Sequence, residues 1–582
     1  MKIAAFLLTI ALTPIELAGQ VPAADRRNTF TPGTDTHFEL RDYATRAAWE
    51  QRKGELRRQI LSAAGLYPLP PRASLHAQIF GRIEHKGYSI EKVLLETLPG
   101  YYLGGNLYRP MSAGKKPGVL NPHGHWPYGR LENEPLDSNP EFGMNLARQG
   151  YVVFAWDMVG YNDTLQTPHS FGTPAEQLWS FGPLGLQLWN SIRALDFLIS
   201  LDDVDAARIG MAGASGGATQ TLLLDAVDDR VQFAAPVNMV STFMQGGDTC
   251  ENAPGLRVGA NNVEIAAMFA PKPMLLVSAT GDWTRTTPTV EFPAVRKIYE
   301  LYGHAANVET FHQEAPHNFN RQNREAIYRF FGHHMLGDNN AAHFVEKDEP
   351  VEMLQKMLAL AGRALPEGAA TYGQVFARWR AMPSDVSLDQ AREKLQLALG
   401  VEWPAQVTAQ QNGDMTLLTR GDDRVPAYWI DGHGAPAVLV DSGGAAPARH
   451  SPLAARLLRE GRPLLVVEAF QTGANTAPRN RATSHFLAFN YTDDQCRVQD
   501  ILTALAFAAQ RHPGPVELFG TGDAAIWALF AAAAAPHPVR LATRVLGFQG
   551  ADEEYLARFN VPGIQRAGGL AAAQRLLSSA AR

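Results

Sequence analysis

With 582 residues, 46% of them hydrophobic and 19% charged, the chain exceeds what one ordinary core holds; this predicts two or more domains and excludes long disordered spans. A formal charge of -6 supplies no basic field for a phosphate backbone, so nucleic-acid binding is not expected. Only two cysteines occur, Cys250 and Cys496, one in each half, which excludes a disulfide-built scaffold and leaves open whether the two pair.

The opening stretch, MKIAAFLLTIALTPIELAGQVPAADRR, joins Lys2 to a short apolar run interrupted by Pro14 and to small residues at Ala18, Gly19 and Ala23. That layout predicts a signal peptide over 1–24 and a secreted or periplasmic protein with no membrane span after cleavage. Residues 42–66 have helical spacing. Strand-like runs at 89–96 and 102–108 flank a turn at Pro99 and Gly100. From there short apolar strands alternate with amphipathic helices. Strands are predicted at 118–121, 151–156, 208–212, 233–237, 274–279 and 307–311, and helices near 187–200, 218–226, 292–302 and 321–335. This alternation predicts an α/β fold with a mostly parallel sheet covered on both faces.

The second half echoes the first in three places and in the same order. LRRQILSAAGLYPLPP from Leu56 is matched by AREKLQLALGVEWPAQ from Ala391, LARQGYVVFAWDMVGYNDT from Leu146 by LREGRPLLVVEAFQTGANT from Leu458, and RIGMAGASGGA from Arg208 by PVELFGTGDAA from Pro515. Ordered echoes predict a tandem arrangement: a catalytic domain over 25–340, a helical linker over 341–386 and a degenerate second copy over 387–582. In that pairing Gly522 stands opposite Ser215 and no histidine follows His537, so the second copy is expected to be silent.

Gly213, Ala214, Ser215, Gly216 and Gly217 form a Gly-x-Ser-x-Gly turn between a predicted strand and a predicted helix. A reversal this sharp needs small residues around a strained centre, and it exposes the serine hydroxyl beside the first amide of the helix. An alcohol is a poor nucleophile at neutral pH, so Ser215 needs a base and the base needs an acid, in the chain order serine, acid, histidine. His317, in the loop after the last predicted strand, is the expected base. His304 precedes that strand, His312 lies at its end, and His333 and His334 sit at a helix terminus. Asp282 follows the strand 274–279 and is the expected acid, with Glu251 as its rival. Gly216 is the expected first oxyanion donor, and the loop NPHGHWPYG supplies the second near His125 or Trp126. His123 and His125 at a strand end are expected to face one way. No third ligand accompanies them in the sequence, so neither metal nor cofactor is predicted.

Taken together, GVLNPHGHW, AWDMVGYNDT, GASGG, CENAPGLR, SATGDWT and EAPHNFN, spread over 59–337, resemble exported α/β-hydrolases of the acetyl xylan esterase-like kind, relatives of dienelactone hydrolases and glucuronoyl esterases. The resemblance implies a serine esterase that removes acetyl or methyl esters from plant cell-wall polysaccharide, of acetyl xylan or pectin type, through an acyl-enzyme. Glucuronoyl esterases carry an arginine directly after the serine, where this chain has Gly216; uronate recognition of that particular kind is not implied. Trp126, Trp283 and Arg257 are the expected sugar or uronate contacts, since aromatic faces stack on sugar rings and a guanidinium fork fits a carboxylate. Two other functions share parts of the pattern: a serine peptidase of prolyl oligopeptidase type, although no repeated all-β blades precede the elbow, and a non-catalytic polysaccharide-binding protein. The oligomeric state is left open.

Overall fold

The computed structural model describes residues 22–383, 386–512, 514–536 and 539–580. Most of the predicted signal peptide, and His537, lie outside them. No helix among the described residues is long and apolar enough to cross a membrane. The chain divides into two compact units, one made of Gly33–Asp385 with Leu487–Phe489, the other of Met1–Pro32, Val386–Phe486 and Asn490–Arg582.

The first unit is built on a nine-stranded sheet. Its strands are β1 (Gln78–His85), β2 (Tyr88–Leu98), β3 (Tyr101–Pro110), β4 (Lys116–Pro122), β5 (Val152–Trp156), β6 (Val204–Ala214), β7 (Phe233–Val237), β8 (Met274–Gly281) and β9 (Val308–Pro316). They lie in the order β1-β2-β3-β5-β4-β6-β7-β8-β9. The first three form an antiparallel meander that joins β5 antiparallel, and from β5 to β9 all pairs are parallel. Helices α1 (Arg46–Ala63), α2 (Asn139–Gln149), α3 (Pro183–Ile199), α4 (Gly216–Val227), α5 (Glu291–Leu301) and α6 (Arg321–Phe331) accompany these strands. Strand β5, near the middle of the sheet, is apolar along its whole length, with every residue of VVFAW buried, because a sheet covered on both faces has no polar side to alternate with. This is the α/β-hydrolase architecture predicted from the sequence. Strand β1 was not predicted, since its burial swings between intermediate and exposed without a clean apolar register. The predicted helix 321–335 stops at Phe331, and Gly332–Leu336 continues as a π-turn.

Residues 341–385, expected as a linker, belong to the first unit. The Asp163 carboxylate accepts the amides of Ala359 and Leu360 at 2.8 Å each, Glu346 accepts from Arg324 Nε at 2.7 Å, and Trp379 of α7 (Tyr372–Arg380) is fully buried. Charge and proline made the segment read as a tether, because its partners lie far away in sequence. At the other end Arg27 pairs with Asp500 at 2.6 Å, which places residues 25–32 with the second unit instead of the catalytic one.

The second unit has a seven-stranded sheet of β10 (Thr408–Asn412), β11 (Met415–Arg420), β12 (Asp423–Ile430), β13 (Ala437–Asp441), β14 (Leu464–Val467), β15 (Val516–Thr521) and β16 (Val539–Leu541). The order is β10-β11-β12-β14-β13-β15-β16. Strand for strand, this repeats β1 to β7, including the swap of the fourth and fifth. Helices α8 (Leu388–Leu399), α9 (Pro452–Arg459), α10 (Asp493–Arg511) and α11 (Ala524–Ala534) accompany it. Counterparts of β8 and β9 do not occur among its described residues.

Candidate active site

Ser215 lies between β6 and α4 with φ +57° and ψ −123°, a backbone conformation that L-residues rarely adopt. Two contacts hold it there. Its amide donates to the Val237 carbonyl at 2.9 Å, and the end of β4 presses against the turn. A Cβ on Gly213 or on Gly217 would run into the Pro122 carbonyl oxygen, so both flanking positions admit only glycine. Gly216 supplies the first N–H of α4, which has no carbonyl four residues back to bond.

Strand register brings the acid and the histidine together. Gly281 at the end of β8 pairs with Pro316 at the end of β9, so the next residue on each strand, Asp282 and His317, emerges beside the other. The close approach excludes a side chain at Gly281, whose Cβ would lie 2.8 Å from the Ala315 carbonyl oxygen. His317 Nδ1 sits 3.0 Å from Asp282 Oδ2, and the Asp282 side chain is 1% exposed against 26% for the imidazole. The other carboxylate oxygen accepts from the Thr284 amide at 2.6 Å, which fixes its plane. A buried carboxylate on Nδ1 keeps the proton there and leaves Nε2 with its lone pair.

Ser215 and His317 both stand at the carboxyl edge of the sheet, with β7 and β8 between them. The His317 ring touches Trp283, with centroids 4.5 Å apart, and lies within 11° of parallel to Trp126 at 5.8 Å. Trp126 in turn rests on Gly124, whose Cβ position is 2.8 Å from the Ala214 carbonyl oxygen; the loop after β4 therefore reaches the elbow. Among the described residues the Ser215 hydroxyl forms no protein hydrogen bond. Serine–base contacts in such sites are commonly long until substrate draws them together.

No family model matches the chain. In structure it resembles the methylesterase BT1017, with 32% identity and a TM-score of 0.50 over 58% of this chain and 75% of that one. YtaP of Bacillus subtilis (strain 168), assigned as a hydrolase, is 27% identical over 266 residues, 42% of this chain and 86% of that protein. A glucuronoyl esterase from Solibacter usitatus is 15% identical at a TM-score of 0.39, over 53% of this chain and 99% of its own, a likeness too distant to carry function. The chain belongs to the α/β-hydrolase esterase family of the methylesterase BT1017.

Several residues expected to serve this carboxylic ester hydrolase stand elsewhere. Glu251 is buried, takes Thr219 Oγ1 at 2.9 Å and the Gly247 amide at 2.8 Å, and braces its own loop against α4 instead of meeting His317. Arg257, expected to grip a uronate, is 1% exposed; its guanidinium donates to the Glu251 carbonyl and to Asn252 and Asn262, and burial pulls it down to about 10. It tightens the loop that carries Glu251. His312 is bonded to Ser278 Oγ at 2.8 Å and His334 to Glu309 at 2.8 Å. The motif residues Asp157 and Asp163 hold the fully buried Arg130 and so shape the loop after β5.

The two histidines of the loop after β4 part company. His123 turns into the core, with Nδ1 2.7 Å from the Gly124 carbonyl and Nε2 accepting the Met158 amide at 2.9 Å. Burial pushes it down to about 3, so it is a neutral brace. His125 lies over Gly216, and a Cβ there would be 2.5 Å from its Cε1. The elbow therefore has room for glycine alone, and an arginine after the serine would displace His125. Sequence reading missed the neighbours of His125, namely His169, Asp248 and Cys250; they come from distant loops that no spacing connects.

Proposed function

We propose that the protein is an exported serine esterase that removes methyl esters, or failing those acetyl esters, from plant cell-wall polysaccharide of pectin or acetyl xylan type. The observation that carries the chemistry is the Asp282–His317 pair at the same sheet edge as the strained Ser215. Likeness to a methylesterase favours the methyl ester, and the leader-like first residues favour export.

In this reading His317 Nε2 takes the proton of Ser215 Oγ as the oxygen attacks the acyl carbon, while Asp282 holds the imidazolium. The oxyanion settles against the Gly216 amide and an amide of the loop at His125 or Trp126. The C–O bond to the alcohol breaks, and His317 returns the proton to that alcohol. Methanol leaves from a methyl ester, or the sugar hydroxyl from an acetate. Water, deprotonated by the same imidazole, then splits the acyl-enzyme and frees the acid. Trp126 and Trp283, half-buried beside His317, supply flat faces for a sugar ring.

The test is parallel incubation with methyl-esterified pectin, acetylated xylan and a glucuronate ester, with methanol and acetate measured separately. Methanol release from pectin supports the methyl reading. Acetate without methanol overturns it in favour of the acetyl reading, and robust amide cleavage without ester turnover would return the peptidase.

A further inference from the structure

We propose that His125, His169 and Cys250, with Asp248 as the fourth ligand, form a binding site for a zinc-type metal ion beside the serine elbow. The donor atoms of the first three all lie within 4.8 Å of one another, and those of His125, Asp248 and Glu251 form a second group of the same tightness, joined to the first through His125. His125 Nε2 is 3.0 Å from Cys250 Sγ and 3.6 Å from Asp248 Oδ2. A tetrahedral ion with bonds of about 2.0 to 2.3 Å needs ligand atoms roughly 3.3 to 3.8 Å apart, within reach of side-chain rotation from these positions.

His169 decides between a metal site and a simple hydrogen-bonded pair. Its Nδ1 donates to the Val159 carbonyl at 2.7 Å, which fixes the tautomer and leaves Nε2 as an acceptor. That Nε2 is buried and has no hydrogen-bond partner among the described residues. A His125–Cys250 contact alone leaves this lone pair unexplained, and buried acceptors without partners are rare. An imidazole anchored through one nitrogen to a backbone carbonyl, with the other bare, is the usual arrangement of a metal-ligating histidine.

The supporting frame is built in the same way. Both oxygens of Glu251 are occupied, by Thr219 and by the Gly247 and Asp248 amides, so it holds the loop of Asp248 and Cys250 and is not itself a ligand. Thr249 Oγ1 donates to Ser170 Oγ at 3.1 Å, tying that loop to the one that carries His169. Two imidazoles, a thiolate and a carboxylate suit zinc, whereas calcium and magnesium take oxygen ligands. On binding, the Cys250 thiol gives its proton to solvent and ligates as thiolate.

The experiment uses the full chain, stripped with a chelator and titrated with Co²⁺ and then Zn²⁺. The expected result is one equivalent of Co²⁺ bound with a thiolate-to-cobalt charge-transfer band, displaced by Zn²⁺, and a thermal midpoint raised by Zn²⁺. Cys250→Ser should abolish the band, and His169→Ala should weaken Zn²⁺ binding more than about tenfold. Asp248→Asn, at a half-exposed side chain that does not threaten folding, should weaken it less. A wild-type protein with no saturable band overturns the proposal, and so does Zn²⁺ affinity unchanged in all three variants. The readout is spectroscopic, so it stands or falls independently of ester turnover.

Discussion

The β6–α4 and β15–α11 turns are two versions of one object. Gly213 and Gly520 occupy the same place before the turn, and each is pinned by the first residues of the helix: a Cβ on Gly213 would meet Gly217, and one on Gly520 would lie 2.5 Å from the Ala524 carbonyl oxygen. At the apex Ser215 has φ +57° and Gly522 φ +61°. The first sheet then runs on through β7 to β8 and β9, which deliver Asp282 and His317. The second reaches β16 and, among the described residues, goes no further. A sharp strand-to-helix turn is thus a property of the crossing itself, while the proposed catalysis depends on groups delivered by strands two and three places away.

The largest effect should come from exchanging the apices. Ser215→Ala is expected to remove at least about 10⁴-fold of the turnover of an activated ester, since the nucleophile is gone. Adding Gly522→Ser to that variant should restore nothing, because the second sheet has no counterparts of β8 and β9 among its described residues to deliver an acid–histidine pair. Any turnover regained in the double variant would break the comparison. Next, Asp282→Asn should cost on the order of 10⁴-fold in kcat by freeing the wrong imidazole tautomer. Glu251→Gln should instead lower the melting temperature and leave kcat nearly intact, since Glu251 bonds its own loop and Thr219. Steady-state kinetics beside thermal melts separates the two carboxylates.

What could be read in advance follows the same division. Ser215, Gly216 and the succession of strands β2 to β9 along the chain were legible because turn chemistry and apolar runs are local signals, whereas their order in the sheet was not. So was the acid–histidine pair, since loop positions after successive parallel strands meet at one edge. Arg257 misled because a guanidinium beside an active-site loop looks like a ligand grip, whereas its partners Asn252 and Asn262 lie on its own loop and bury it. His123 misled because alternation in an extended strand puts both members of a His-x-His pair on one side, and the chain leaves extended geometry at Pro122. His169 and Cys250 carried no signal, since their proximity to His125 exists only in the folded chain.

His123 gives the next effect in size. Its ordinary value near 6.5 falls to about 3 through burial, so the folded state holds it neutral while the unfolded chain protonates it. The sign follows: this stability is present above pH 6.5 and is lost as pH falls towards 3, amounting to about 5 kcal/mol over the full window. Strand register puts Asp441 of the second sheet in this place, because Val440 pairs with Gly520 as Pro122 lies against Gly213. Acid loss by this route therefore belongs to the first unit. Hydrogen exchange followed from pH 7 to pH 4 should show β4 and β6 losing protection before β13 and β15. Equal loss in both sheets would remove His123 as the cause.

The smallest effect, and the most specific, concerns the residue after the apex. A Cβ on Gly216 would lie 2.5 Å from His125 Cε1 and 2.7 Å from Met158 Cε, so Gly216→Ala must push the loop after β4 away from the elbow. The two proposed oxyanion donors belong to the two segments that meet at that contact, and losing the alignment of one should lower kcat by about 10² to 10³-fold with little change in melting temperature. The second elbow already carries Asp523 here, bonded to Arg558 at 2.8 Å. Asp523→Ala should accordingly leave turnover untouched. Combining Gly216→Ala with His125→Ala removes the collision with the imidazole and leaves only the end of the flexible Met158 side chain, so kcat should recover part of its loss if steric displacement of the loop is the cause. Without recovery, displacement of the loop by the His125 ring is not the cause of the loss.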